Sequence, residues 1–292
     1  MSDPSIPGAS DERVDHLLHP LAVQVSTLLT REGRIAAREI IIDDEQNILQ
    51  YCSTGAEVQR IFLAEDHGCS PAEIQALAGK APVSILARRT SKKLFGNERL
   101  SRVFAIAALP RLQSLAQLPA IAGDVMVLDN LQISGNIGAI IRTAFALEAG
   151  AIVILDMDPV DLHDRRTIRA SRGYLFRMPI VACATAELLA FAQAHAVHLV
   201  ATSASGTTPV AAIATDPRQC WLILGAEKQG CTPALQQSAA CEVSIPIHPE
   251  AESLNVSVAA SILMYVRGRS RESGQSGVGS KAKDRSWTGW TG

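Results

Sequence analysis

The stretch LDNLQISGNIGAIIRTA, residues 128–144, runs from the end of an apolar segment through a glycine-bearing turn into an apolar helix. Just before it, DVMVLD (124–129) has the composition of a buried strand; after Gly150, AIVILD (151–156) has it again. Strand, turn, helix and strand make the repeating unit of a parallel α/β sheet. Ligands of open α/β sheets bind beyond the carboxyl ends of the strands, so the turn is a candidate site. A nicotinamide dinucleotide is one possible occupant, with Gly135 and Gly138 at the turn and Asp156 at the distance of a ribose ligand. That ligand wants Gly-x-Gly-x-x-Gly, one glycine letting the backbone approach the pyrophosphate. Here Asn136 occupies that position, and NLQIS separates the turn from its strand. The pattern argues for a different ligand.

The same alternation extends in both directions. Downstream, AELLAFAQAHA (186–196) reads as a helix, VHLVAT (197–202) and CWLILGAE (220–227) as strands, EVSIPI (242–247) as a short strand and SLNVSVAASILMYVR (253–267) as a last helix. Upstream, REIIID (38–43), RIFLAE (60–65), VSILA (83–87) and RVFAIAAL (102–109) read as strands. Between them, DEQNILQYCSTG (44–55) and SPAEIQALAG (70–79) have helical apolar spacing and a closing glycine. Ser70 is the expected N-cap of the second, with Pro71 in the first helical position. PRLQSLAQLPAIAGD (110–124) breaks the rhythm with two prolines and a glycine and reads as a linker. The expected organisation is a loose arm (1–19), a small α/β domain (20–109), the linker (110–124), a second α/β domain (125–267) and a flexible Ser/Gly/basic tail (268–292) carrying Trp287 and Trp290.

The 292 residues are 47% hydrophobic and 19% charged, the composition of a globular protein. No apolar run approaches the roughly 18 residues of a membrane span. The N-terminus lacks the basic and apolar regions of a signal peptide, so the expected compartment is the cytoplasm. Cys52, Cys69, Cys183, Cys220, Cys231 and Cys241 form no Cys-x-x-Cys pair and no zinc-type spacing, so buried thiols and no metal are expected. The net charge is −2, yet Arg88, Arg89, Lys92, Lys93, Arg99, Arg102 and Arg111 cluster in one region and Arg165, Arg166, Arg169, Arg172 and Arg177 in another. Two basic clusters in a near-neutral chain can form a phosphate-attracting face; a solvated surface is the plainer reading of either alone.

Two further loops share the character of the first turn. LILGAEKQG (222–230) is a strand followed by a loop with two glycines and one acid, Glu227. SIPIHPEAESLNVSVAASI (244–262) is a strand, a proline-bounded loop and a helix opening with Ser253 and Asn255. Both set small residues and backbone amides at strand ends. Arg142 stands alone in an apolar helix, where an arginine either snorkels, pairs with a carboxylate or faces a cleft together with Asn136. Ser253 and Asn255 are also natural helix caps.

NIGAIIRTA, LGAEKQG and IPIHPEAESLNVSVAAS, in this order over 125–266, resemble the three motifs of the SpoU branch of the SPOUT class of S-adenosylmethionine-dependent RNA methyltransferases. GNIGAIIRT, DRRTIRASRGYLFRMPIV, ESLNVSVA and KLFGNERLSRVFAIA resemble more narrowly the thiostrepton and nosiheptide resistance methyltransferases, over about Leu21 to Arg267. The resemblance implies a C-terminal domain with a deep trefoil knot and an N-terminal, ribosomal-protein-like α/β/α sandwich that binds RNA. It implies a homodimer with a shared active site. It also implies 2′-O-methylation of an adenosine in a hairpin of the GTPase-associated region of 23S rRNA, which blocks thiopeptide antibiotics.

The roles it implies are specific. S-adenosylmethionine lies against Leu224, Gly225, Ala226 and Gly230, against Ile245 and Ile247, and against Ser253, Leu254, Asn255 and Ser257. Asn136 and Glu227 line the cleft near methyl donor or substrate. Arg142 is the catalytic residue. A guanidinium is a donor rather than a base, so orienting the hydroxyl and stabilising developing oxyanion charge suits it better than proton abstraction. Arg172 joins the active site, from its own or the partner subunit, or positions a phosphate. Arg165 and Arg169 are expected as phosphate contacts, like Arg88, Lys92, Lys93 and Arg99, with Phe95 as a surface aromatic that stacks a splayed base. The alternatives are a SpoU-type enzyme for another rRNA or tRNA site, a non-catalytic RNA-binding protein, and the nicotinamide oxidoreductase.

Overall fold

The structure, a computed structural model, describes residues 12–96, 101–226 and 229–275. The first domain contains β1 (Glu12–Val14), α1 (Pro20–Leu28), α2 (Arg31–Ala37), β2 (Glu39–Asp43), α3 (Glu45–Cys52), β3 (Val58–Ala64), α4 (Pro71–Ala78), β4 (Val83–Leu86), α5 (Arg88–Phe95) and β5 (Val103–Ala108). Its five strands are ordered β1-β4-β3-β5-β2, with β5 antiparallel to both neighbours and the other pairs parallel. Strand side chains alternate between faces, so one sheet needs two apolar coverings. Ile40 and Ile42 pack with Ile48 and Tyr51 of α3 and Ile74 of α4. Ile41 packs on the other side with Phe62, Phe104, Val25 of α1 and Phe95 of α5. The start of α4 is fixed as Ser70 and Pro71 predict: Ser70 Oγ accepts from Glu73 N, and a Glu73 carboxylate oxygen accepts from Ser70 N at 2.7 Å.

A 3₁₀ turn (Leu115–Ala120) leads into the second domain: β6 (Val125–Leu128), α6 (Ser134–Ala146), β7 (Ala151–Leu155), α7 (Pro159–Leu162), α8 (Arg165–Ala170), β8 (Ile180–Cys183), α9 (Thr185–Ala194), β9 (His198–Thr202), β10 (Thr208–Pro209), β11 (Cys220–Leu224), α10 (Pro233–Ser238), β12 (Cys241–Ser244) and α11 (Val256–Gln275). Seven strands form a wholly parallel sheet ordered β10-β12-β9-β11-β6-β7-β8. Met126 and Leu128 face α6, α8 and α11, while Val125 and Val127 face α9 and α10. Burial on both faces explains why these strands read as unbroken apolar runs.

Several expectations are corrected. The arm is not loose throughout, because β1 pairs with β4 and buries Val14 completely. β12 stops at Ser244 rather than Ile247, where Pro246 has no N–H for a ladder. The last helix begins at Val256, after its Asn255 cap, and continues to Gln275; residues 276–292 of the expected tail, with Trp287 and Trp290, lie outside the described residues. Among the described residues, no helix is long and apolar enough to cross a membrane.

One buried carboxylate ties three elements of the second domain together. Asp124, just before β6, accepts from Cys220 N at the start of β11 at 2.8 Å and from Arg267 Nε and Nη2 at 2.8 and 3.0 Å. Arg267 also donates to the carbonyls of Ile213, Asp216 and Arg218, so a guanidinium only 3% exposed is well supplied with acceptors. Removing one partner of such a pair strands the other in the interior. Arg267→Met is expected to destabilise the fold by about 3–5 kcal/mol. A shift of the urea midpoint measures it, and an unchanged midpoint would show the pair to be dispensable.

Candidate active site

α6 starts at the carboxyl end of β6 and carries the first motif. Gly138 lets it press on α8: a Cβ there would lie 2.4 Å from Ala170 Cβ and 2.9 Å from Ser171 N. Arg142, one turn further, is on the same face and exposed. Phe145, near the C-terminal end of that face, stacks on Tyr174 at 4.3 Å with Arg177 over its other side at 4.8 Å. Arg142 therefore rises beside the segment that carries Arg172. Arg172 is itself exposed and left-handed (φ 54°).

The second motif folds back on itself. Ala226 and Gly230 form an antiparallel bridge, with Gly230 N donating to Ala226 O at 2.8 Å. A Cβ on Gly225 would lie 2.0 Å from the carbonyl carbon of Gly230, so no other residue fits this turn. Beyond it, Thr232 N donates to the buried Asp129 carboxylate at 2.6 Å, which fastens the loop to the end of β6. Burial pushes the Asp129 carboxyl up from its ordinary range. Leu224 is buried at the root of the loop, Ala226 is half-buried, and Glu227 lies outside the described residues.

The third motif meets the first directly. Asn255 Oδ1 accepts from Ser257 N at 2.9 Å and Ser257 Oγ at 2.6 Å, capping α11, while its Nδ2 donates to Asn136 Oδ1 at 3.1 Å. Asn255 thus caps α11 and at the same time joins it to the start of α6. Ile245, Ile247 and Leu254 are half-buried and Ser253 is exposed.

Of the expected RNA contacts, Arg88, Lys92 and Lys93 line the exposed side of α5, and Arg99 lies outside the described residues. Phe95 is not a surface platform. It is 6% exposed, edge-on to Phe104 at 5.4 Å, with the Arg165 guanidinium 4.7 Å above its ring. Arg165 is likewise buried: its Nε donates to Asp43 Oδ2 at 2.8 Å, and Arg169 Nε pairs with the same oxygen at 3.0 Å. As folded, both arginines join α8 to the first domain; Arg165 is buried there instead of presenting itself to a phosphate, while Arg169 stays about a third exposed, its side chain at 32%. Sequence periodicity could not show this, because Asp43 is 122 residues away from Arg165.

A cleft of about 530 Å³ also opens between the domains, lined in part by Arg31, Asn130, Ser134, Asp158, Asp161 and Arg166. Arg31 spans it to Asp158 and Asp161 at 2.9 and 2.8 Å, so its acids are already engaged. Asp156, the residue at the ribose-ligand distance, accepts from Thr185 N and Oγ1 and so anchors α9. His198, Asp216 and Cys220 bring possible metal-ligating atoms within 4.8 Å of one another, but Arg218 holds Asp216 at 2.6 Å, a cationic setting that opposes a metal ion.

Residues 124–265 match the SpoU rRNA methylase family, and residues 11–120 match the N-terminal part of thiostrepton-resistance methylases. The chain belongs to the SpoU rRNA methylase family. It is 34% identical to a 23S rRNA (adenosine(1067)-2′-O)-methyltransferase of Streptomyces azureus, over 84% of this chain and 92% of that one. It is 36% identical to the enzyme of the same name from Streptomyces laurentii, over 85% and 92%. Among solved structures, an RNA 2′-O ribose methyltransferase superposes with a TM-score of 0.78 at 27% identity, covering 89% of this chain and 99% of that one.

His163 lies in the seam between the domains, its ring 6.3 Å from Phe176 and its Nδ1 2.7 Å from Pro159 O. Burial pushes its imidazole down from 6.5 to about 4. Between these values the unfolded chain takes up a proton that the folded one refuses. Stability from this group is complete above about pH 6.5 and falls towards pH 4, by up to about 1.4 kcal/mol per pH unit. The gap between urea midpoints at pH 7 and pH 4.5 is expected to narrow in His163→Gln; an unchanged gap would assign the acid limb to other groups.

Proposed function

We propose that the chain transfers a methyl group from S-adenosylmethionine to the 2′-hydroxyl of an adenosine in the GTPase-associated region of 23S rRNA, and that it thereby confers resistance to thiopeptide antibiotics of the thiostrepton and nosiheptide class. The observation that carries this reading is likeness across both domains. The two Streptomyces enzymes named for this reaction align over more than four-fifths of the chain, and residues 11–120 match the N-terminal part of thiostrepton-resistance methylases.

The site suits S-adenosylmethionine. The turn at Gly225, where a Cβ would collide with Gly230, fixes the course of the loop backbone above the buried Leu224, and the half-buried Ile245, Ile247 and Leu254 supply apolar surface for an adenine. Ala226, Gly230, Ser253, Asn255 and Ser257 complete the cradle. When bound, the cofactor offers a methyl group on a sulfonium, a good leaving group. Arg142 donates to the 2′-oxygen, turns it towards the methyl carbon and stabilises its developing charge. The new oxygen–carbon bond replaces the sulfur–carbon bond, and the hydroxyl proton passes to water or an RNA phosphate. Asn136, fixed by Asn255, borders this step together with Glu227, and Arg172 assists from its own or the partner subunit.

The finer architecture belongs to the same proposal. Helices on both faces of the first sheet support an α/β/α sandwich whose exposed α5 holds RNA through Arg88, Lys92 and Lys93. Insertion of β11 between β6 and β9, and the return of α11 onto α6, support a trefoil knot. Val258 and Tyr265, seven residues apart on α11, are 47% and 52% exposed, and they support a homodimer face. The same reading has the protein act in the cytoplasm.

Arg142→Ala is expected to lower single-turnover transfer by about 10²–10³-fold, the usual cost of losing an oxyanion donor. Calorimetry is expected to find S-adenosylmethionine bound as in the parent. Near-parent transfer by the variant would remove Arg142 from the mechanism. Labelled S-adenosylmethionine with a hairpin of the GTPase-associated region is expected to label the RNA, and a 2′-deoxy substitution at the target adenosine to abolish the label. No label on either RNA would move the substrate elsewhere.

A further inference from the structure

The first domain reaches into the neighbourhood of the active site from behind. β2 ends at Asp43, whose side chain is fully buried. Its Oδ2 receives Arg165 Nε at 2.8 Å and Arg169 Nε at 3.0 Å. Arg165 and Arg169 are four apart on α8 and so share one face. α3 follows at once, capped by Asp44 through Gln46 N at 3.0 Å, and its start is held to β2 by Asn47 Nδ2, which donates to Asp43 O at 2.7 Å.

α3 then supports the chain leaving α8. Gly173 is left-handed (φ 73°), and a Cβ on it would meet Gln50 Cβ at 2.9 Å and Asn47 Cα at 3.0 Å. Arg172 Nη1 donates to Gln46 Oε1 at 3.5 Å and Arg177 Nη1 to Gln50 Oε1 at 3.2 Å. Tyr51 meets Phe176 edge-on at 5.1 Å. The other side of the same segment is the surface that α6 packs on, through Gly138 against Ser171 and Phe145 against Tyr174. Residues 171–177 are thus held between α3 and the helix that carries Arg142.

We propose that Asp43, a residue of the N-terminal domain, is a positioning residue for methyl transfer: by neutralising Arg165 and Arg169 at the buried seam it fixes α8 against α3 and so sets the place of Arg172. This rests on the functional reading above and deepens it, because the N-terminal domain then shapes the catalytic centre as well as binding RNA. The physical reason is charge. Two guanidiniums meet at one fully buried carboxylate oxygen, and loss of its charge takes from the buried Arg165 a counter-charge that water cannot replace there. The hold of β2 on α8 then loosens, and Arg172 moves with α8. A displacement of about 1 Å at a reacting centre is enough to cost on the order of 10²-fold in rate.

The test is a double-mutant cycle on the full chain, read as single-turnover methyl transfer with enzyme in excess over a 23S rRNA fragment. The variants are Asp43→Asn, Arg172→Ala and the pair. Asp43→Asn is expected to lower the rate at saturating RNA by about 30–100-fold, with S-adenosylmethionine affinity unchanged by calorimetry. In the Arg172→Ala background the same change is expected to cost less than about threefold, because the group it positions is gone. A parent-like rate for Asp43→Asn would overturn the proposal. So would a full independent loss in the double variant, or a loss confined to RNA affinity. A parent-like rate for Arg172→Ala would overturn the Arg172 assignment and this proposal together, while failure of the unaltered protein to label any rRNA would instead count against the proposed function. Should Asp43→Asn not fold, Gly173→Ala, which pushes the segment off α3 without touching the charges, is expected to show the same dependence on Arg172; additivity there would contradict the account.

Discussion

The buried contact between Asp124 and Arg267 governs the geometry of the second domain. Asp124 stands at the start of β6, binds the first amide of β11 and receives a guanidinium from α11. From Arg267 back to its N-terminus at Val256, α11 spans about 16 Å at 1.5 Å per residue. With one end of this rod fixed at the amino edge of the sheet, the other is delivered to the carboxyl edge. There Asn255, the cap of α11, meets Asn136 at the start of α6. Two motifs that lie 119 residues apart in sequence touch because one ion pair sets the direction of a helix.

A second constraint is steric. Gly225 and Gly230 approach so closely that a single Cβ would prevent it, and Asp129 closes the far end of that loop through Thr232. The loop is therefore held at both ends, by the close backbone approach of Gly225 to Gly230 and by one buried carboxylate. The third element of the site, the segment that bears Arg172, is held differently, between α6 on one side and α3 of the first domain on the other. The two sheets share one continuous apolar core through this seam, so the first and second domains are mechanically connected.

Much of this was legible in the sequence. Long apolar strands and the helices with caps, such as Ser70–Pro71, declare themselves through local chemistry, and the three motif loops fall at strand ends where ligands of parallel sheets bind. The short helices α7, α8 and α10 were not legible, since six or fewer residues give too little periodicity to see. β1 was hidden because three residues of an edge strand resemble any polar arm. Among site residues, Arg165 and Phe95 read in sequence as an RNA surface but are buried in the fold. A run of arginines looks the same whether it faces phosphate or a buried carboxylate, and the deciding partner, Asp43, is remote in sequence. Asp129 gave no signal for a similar reason: its meaning depends on a loop about a hundred residues downstream.

The atom this fold methylates is a ribose oxygen, not a base. The most direct measurement is mass spectrometry of nucleosides from 23S rRNA after incubation with the protein and S-adenosylmethionine. The account predicts 2′-O-methyladenosine, appearing in proportion to transfer. A base-methylated nucleoside, or methyl groups on no nucleoside of that RNA, would contradict it.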